Sequence, residues 1–273
     1  MGRNGGAEDD AGALGGVEPN CPPVHTQVGP GGIATITLNS PANRNALSAA
    51  LVTSLHEQLT EAARNEALRA VVLTHTGHVF CSGADLAEAV DGGMEEGTRR
   101  LLALLRQIAE VPRPVIARVD GAVRAGGLGI VAACDLAFAT PGSSFALTEA
   151  RIGLAPAVVS LTLLPRLEPR AASRFFLTGE TFDGVEAEKI GLLTGCAEDL
   201  DAEMEPVLSG LKASSAQGLR ETKRLLNAGL LASLRDGAEE MTRLSSRLFA
   251  SDEARANMAG FLKRPRPGRR RGR

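Results

Sequence analysis

Apolar positions along this chain fall into three stretches with different rhythms. Positions 1–22 are rich in glycine and acidic residues and poor in large apolar side chains, which predicts a disordered leader. From there to about Phe145, short apolar runs such as AVVLTH (70–75) and PVIARV (114–119) read as strands and alternate with helical patterns. GPGG (29–32) has the turn chemistry of a hairpin carrying Val28 and Ile33 on its two strands. Leu51, Leu55 and Leu59 then recur at helical spacing behind Ser48, a candidate N-cap. Such alternation predicts an α/β fold, a repeated ββα-like winding around a core sheet.

The third stretch opens at Asp183, where an N-cap residue is followed three positions later by Glu186. Segments 200–211, 218–234 and 237–249 carry apolar stripes with charged opposite faces, which predicts buried helices. The expected division is therefore a leader at 1–22, a core at 23–199, a helical region at 200–264 and a basic tail at 265–273.

Composition narrows the function classes. The chain has 273 residues, 44% of them hydrophobic, enough for a substantial core in one large domain or two small ones. Its 30 basic and 32 acidic residues leave a formal charge of −2, so the balance calls for neither nucleic acid nor an anionic membrane. No apolar run reaches the roughly 18 residues of a membrane span, and the opening segment has no apolar signal core and carries Glu8, Asp9 and Asp10. A cytoplasmic protein is expected. Cys21, Cys81, Cys134 and Cys196 are widely spaced without a C-x-x-C pair, so no metal site is expected. Cys134 reads as a small core residue, and Cys81 as a packing residue beside a glycine turn. The tail RPRPGRRRGR (264–273) is basic but has no aromatic residue to stack on bases, and it reads as a solvated end.

The chemistry lies in two glycine-bearing segments, FCSGADL (80–86) and DGAVRAGGLGI (120–130). A turn that aims its amide at a ligand tolerates little side-chain bulk, and Gly83-Ala84 and Gly126-Gly127 meet that condition. Each segment follows one of the apolar runs and precedes helix-compatible sequence, an order that leaves free amides and a positive dipole end facing the turn. Together they can give two N–H donors to one oxyanion.

The order of these segments resembles the crotonase superfamily, the enoyl-CoA hydratase/isomerase family. The resemblance also includes ITLNSPANRNALS (36–48), GAVRAGGLGIVAACDLAFA (121–139), FALTEARIGLAP (145–156), LTGETFDGVEAEKIGLLTG (177–195) and SDEARANMAGFLKRP (251–265). It implies a spiral of ββα units with a C-terminal helical region that joins subunits into a homotrimer or a dimer of trimers. It also implies an acyl-CoA thioester substrate, an enolate held by two amides, and no cofactor beyond the CoA that the substrate carries.

Matched residue by residue, the resemblance puts Ala84 and Gly126 at the oxyanion positions and Glu149 at the family's second catalytic glutamate. The first glutamate of hydratases falls on Gly129, which is a departure and resembles instead the Δ3,Δ2-enoyl-CoA isomerases, where one base moves the proton. Without that carboxylate, three readings stay open: hydratase, isomerase, or a noncatalytic acyl-CoA-binding protein. Arg44, Ala46, Ser82, Leu86 and Lys263 are the implied CoA contacts. Arg124, two residues before Gly126, is expected either to select a substrate carboxylate by a bidentate contact or to pair internally with Asp120 or Asp85.

Overall fold

Turn chemistry at GPGG produces the expected hairpin, β1 (Val24–Val28) antiparallel to β2 (Ile33–Leu38) with Val28 opposite Ala34. The computed structural model describes residues 22–85, 88 and 94–263, so the leader (except residue 22), the basic tail and Leu86 lie outside the described residues. Helix α1 (Ala49–Arg64) follows, capped by the Ser48 side chain accepting from the Leu51 amide, and it buries Leu51, Leu55 and Leu59.

The chain then winds in units of two strands and a helix. First come β3 (Ala70–His75), β4 (Val79–Cys81) and α2 (Met94–Glu110); then β5 (Val115–Val119), β6 (Ala122–Arg124) and α3 (Gly126–Ala133). A third unit has β7 (Leu136–Ala139), β8 (Ser144–Ala146) and, after a 3-10 turn at Glu149–Ile152, α4 (Ala157–Leu163). Helix α5 (Pro169–Thr178), β9 (Phe182–Asp183), α6 (Gly184–Lys189) and β10 (Gly195–Cys196) complete the winding. Asp183 caps α6 through the Glu186 amide, as the sequence predicts.

Each unit gives its first strand to one sheet and its second to another. The larger sheet runs β1-β2-β3-β5-β7-β10, parallel beyond the first pair, and the smaller runs β4-β6-β8-β9. Both faces of the larger sheet are covered, which is why Ala70–Leu73 of β3 are apolar without alternation. Val71 and Leu73 face the main core, while Ala70, Val72 and Ile116 face a second cluster closed by Leu200 and Met204 of α7 (Leu200–Ala213). The smaller sheet corrects the sequence expectation, because β4 and β6 lead into the glycine turns, not the apolar runs at 70–75 and 114–119. With three residues each, they are too short to show a period of their own.

Beyond α7 the chain is helical, with α8 (Ala216–Leu226), α9 (Ala228–Phe249) and α10 (Asp252–Lys263). The segments 218–234 and 237–249 are divided differently in the structure, at Asn227. Gly237 sits inside α9, where an added Cβ would lie 2.4 Å from Leu161 Cδ2, so this glycine permits close packing of α9 on α4 and does not end a helix. Buried Asn227 stops α8 and donates through Nδ2 to Asp135 Oδ1 at 2.8 Å and to the Ala109 carbonyl at 3.2 Å. Among the described residues no helix is long and apolar enough to cross a membrane.

Candidate active site

The three parallel strands of the smaller sheet bring the chemistry together. Cys81 of β4 pairs with Val123 of β6, and Arg124 of β6 pairs with Ala146 of β8, so the three strands end along one edge. Ala84 lies three residues past β4, Gly126 two past β6 and Glu149 three past β8. Ligands of parallel sheets bind outside such carboxyl ends.

The two glycine turns touch each other. Gly83 has φ +93°, a conformation that favours glycine, and an added Cβ there would stand 3.0 Å from the Ala125 Cβ. Ala125 itself has φ 45° and ψ −115°, a strained backbone for a residue with a side chain, and its amide donates to the Ala146 carbonyl at 3.3 Å. Among the described residues no side chain caps α3, so its first turn begins at Gly126 with amides that carry no side-chain partner there. Cys81 joins the turns from below. Its Sγ accepts from the Gly83 amide at 3.4 Å, and a Cβ on Gly127 would come within 2.7 Å of the Cys81 Cβ. Burial pushes the Cys81 thiol up to about 12, so it stays protonated and packs, as its sequence context predicts.

This contact makes a prediction. Gly83→Ala forces a Cβ into a left-handed backbone against Ala125, displacing the Ala84 amide without removing it. Steady-state kinetics should show kcat falling about ten- to a hundredfold, short of the 10² to 10³ typical of a lost oxyanion donor. A variant with unchanged kcat would mean that the two turns do not act together.

Glu149 opens the 3-10 turn, and its carbonyl accepts from the Leu154 amide at 3.0 Å. The turn is held on both sides. Arg151 Nε donates to the Thr178 carbonyl at 2.8 Å, and Gly153 packs against Glu253 and Ala254 of α10. Glu149 Oε2 is sealed from solvent and has no hydrogen-bond partner among the described residues, and burial raises the carboxyl from 4.5 to about 7. A buried carboxyl with an unused acceptor and a pKa near neutrality has the properties of a general base.

Of the implied CoA contacts, the structure joins Arg44 to Ser82, and Ala46 is buried in the same loop as Arg44. The Ser82 amide donates to the Arg44 carbonyl at 3.2 Å, the Leu47 amide to the Gly83 carbonyl at 2.8 Å, and Leu47 bridges to Ala84. Lys263 closes α10, whose first turn packs on the turn that carries Glu149. The sequence pattern gave no weight to Asn45, which is fully buried with φ 51°. Its Nδ2 donates to the Val79 carbonyl at 2.7 Å and the Thr76 carbonyl at 3.2 Å, while Oδ1 accepts from the Ser40 amide at 2.7 Å. It fastens the 40–47 loop to β4. The only signal was an Asn inside a turn, where its left-handed tolerance is common.

Two expectations change. Arg124 is half-buried and donates to the Val123 and Ser144 carbonyls at 2.8 and 2.6 Å and to Ser144 Oγ at 3.0 Å. Asp120 is not its partner and accepts instead from Thr140 Oγ1 at 3.0 Å. Val123 points into the core beside Gly127, so strand alternation sends Arg124 to the opposite face of β6. These bonds engage the guanidinium with its own sheet, an internal arrangement of the kind the sequence left open beside a substrate contact. Gly129 is buried in α3, where an added Cβ would lie 2.7 Å from Val159 Cγ1, so the position has no open space in which to place a carboxylate.

The chain matches the Enoyl-CoA hydratase/isomerase family over residues 29–268. It is 52% identical to an enoyl-CoA hydratase from Mycobacterium avium of known crystal structure, with a TM-score of 0.84 across 90% of this chain and 98% of that one. An enoyl-CoA hydratase structure from Mycobacterium smegmatis is 30% identical, with a TM-score of 0.73 over 90% and 98% of the two chains. The mitochondrial enoyl-CoA hydratase domain-containing protein 3 of Danio rerio is 34% identical over 217 residues, 76% of this chain and 74% of that protein. With two sheets wound from ββα units and a helical C-terminal region, this chain belongs to the enoyl-CoA hydratase/isomerase family, within the crotonase superfamily.

Proposed function

We propose that this protein binds an enoyl-CoA thioester and moves a proton at the carbon next to the thioester, with Glu149 as the base. The observation that carries this reading is the buried Oε2 of Glu149, without a hydrogen-bond partner among the described residues, beyond the same sheet edge as the Ala84 and Gly126 amides. Glu149 takes a proton from C2 of a 3-enoyl thioester, and the C2 electron pair moves toward the carbonyl oxygen. The Ala84 and Gly126 N–H groups stabilise the resulting charge. Glu149 then returns the proton to C4 as the double bond shifts from C3–C4 to C2–C3. One carboxyl serves both steps, and no redox change occurs. CoA enters as part of the substrate, along the 44–47 and 82–84 backbone.

Hydration of a 2-enoyl thioester is the second reading, favoured by the hydratase names of the relatives. It needs a held and activated water. Gly129 offers no carboxylate for that task, and isomerisation therefore stands first. Incubation with 3-hexenoyl-CoA and crotonyl-CoA in parallel separates the two, following conjugation for the first and the gain of one water in mass for the second. We expect faster conversion of 3-hexenoyl-CoA; dominant water addition would favour hydration, and thioester binding without turnover of either would favour a noncatalytic acyl-CoA-binding protein. For assembly, the C-terminal helices are our candidate subunit contact in a trimer or dimer of trimers, supported by Leu225 and Leu226 of α8, exposed at 71% and 74%.

A further inference from the structure

A side chain at position 129 has one direction to take, and Val159 fills it. An added Cβ on Gly129 would lie 2.7 Å from Val159 Cγ1, 3.1 Å from Val159 Cβ and 3.5 Å from Leu105 Cδ1. Val159 is 4% exposed and Leu105 fully buried, so neither has solvent to retreat into. A β-branched side chain within a helix is held in one rotamer, and Val159 cannot swing aside as the tip of a leucine would. The backbone is fixed at the same level. Thr162 Oγ1, three residues after Val159 in α4, donates to the Gly129 carbonyl at 3.1 Å and ties α4 to α3.

Both members of this pair belong to the elements that build the site. Gly129 lies three residues after Gly126, one helical turn behind the oxyanion amide, and α4 follows the turn that carries Glu149. A water held for attack needs two or more polar partners. The methyl groups of Val159 provide none, and they occupy the volume that a carboxylate on residue 129 would need.

We propose that Val159 is a specificity-determining residue: by filling the space beside Gly129, it denies the site a second carboxylate and confines the reaction to proton transfer without water addition. The inference rests on Glu149 as the single base. It makes positions 129 and 159 a coupled pair, in which introducing the acid alone fails and clearing the valine first lets it work.

The test uses the full chain as wild type, Gly129→Glu, Val159→Gly and the double variant. Each is assayed for water addition to crotonyl-CoA, isomerisation of 3-hexenoyl-CoA and thermal midpoint. Gly129→Glu alone should lower Tm by about 3–10 °C from overpacking, with little gain in hydration. The double variant should recover most of that Tm and hydrate at least about tenfold faster than wild type, the low end of a general acid/base contribution. The proposal is overturned if Gly129→Glu alone melts like wild type or hydrates as fast as the double variant. It is equally overturned if the double variant folds and isomerises but gains no hydration. Should the double variant fail to fold, Gly129→Ala with and without Val159→Gly reads the same pair, and additive Tm changes would overturn it. Failure of the single-base reading shows separately, as wild type that does not isomerise 3-hexenoyl-CoA whatever the variants do.

Discussion

Replacing Glu149 with glutamine is expected to lower kcat on the best enoyl-CoA substrate by at least about 10² to 10⁴, the usual contribution of a general base, with thioester binding nearly intact. The amide keeps the shape of the carboxyl but cannot take a proton. Because burial raises this carboxyl to about 7, wild-type kcat/KM should rise through about pH 7 as the base ionises, and the variant should lose that limb. Stability moves the other way. The folded protein holds this proton more tightly than the unfolded chain, so the group's contribution is complete below about pH 4.5 and lost as pH rises through about 7. At pH 8 the Gln variant should therefore melt higher than wild type, a trade of stability for activity. A Gln variant that retains most of its turnover, or melts lower at pH 8, would show that Glu149 is not a buried base.

Lys223→Met is expected to destabilise the protein by about 3–5 kcal/mol, the cost of leaving a buried charge without its partner. The Lys223 ammonium lies 2.8 Å from Asp135 Oδ2, with the two side chains 5% and 13% exposed. Its Nζ also donates to the Ile108 carbonyl at 2.8 Å and the Arg113 carbonyl at 3.0 Å, so three acceptors lose a donor at once. Burial pulls this ammonium below its ordinary pKa, with the Asp135 carboxylate opposing the shift. Asp135 also accepts from the Val115 amide at the start of β5 and from Asn227 between α8 and α9. The cluster thus fastens the C-terminal helices to the larger sheet. Urea unfolding should show the loss, and Lys223→Met/Asp135→Asn should recover part of it. An unchanged midpoint would mean that α8 is held by apolar contact alone.

What the sequence made legible was local or carried by a motif. The hairpin at 29–32, the caps at Ser48 and Asp183 and the buried stripe of α1 each depend on residues a few positions apart, and each stands in the structure. Ala84, Gly126 and Glu149 were proposed through the motifs around them, and the sheet brings the ends of the strands before them to one edge. The smaller sheet was not legible, because three-residue strands show no alternation. The boundary between the helical segments 218–234 and 237–249 was misplaced, because nothing in the sequence around Gly237 shows that it lies inside a helix packed against Leu161. Arg124 was legible only as a choice between a substrate contact and an internal one. A guanidinium beside an oxyanion turn suggests a ligand, yet the neighbouring strand supplies Ser144 to hold it. Val159 stands 30 positions from Gly129, and no pattern along the chain joins them.

Proton transfer by Glu149 next to a thioester held at the oxyanion turns is read most directly by isotope exchange. Wild type and Glu149→Gln are incubated with 3-hexenoyl-CoA in deuterated water, and deuterium in recovered substrate and product is followed by mass spectrometry. Wild type should place deuterium at C2 of the substrate and C4 of the product, and Glu149→Gln should place almost none. No incorporation by wild type, or equal incorporation by the two proteins, would contradict the account.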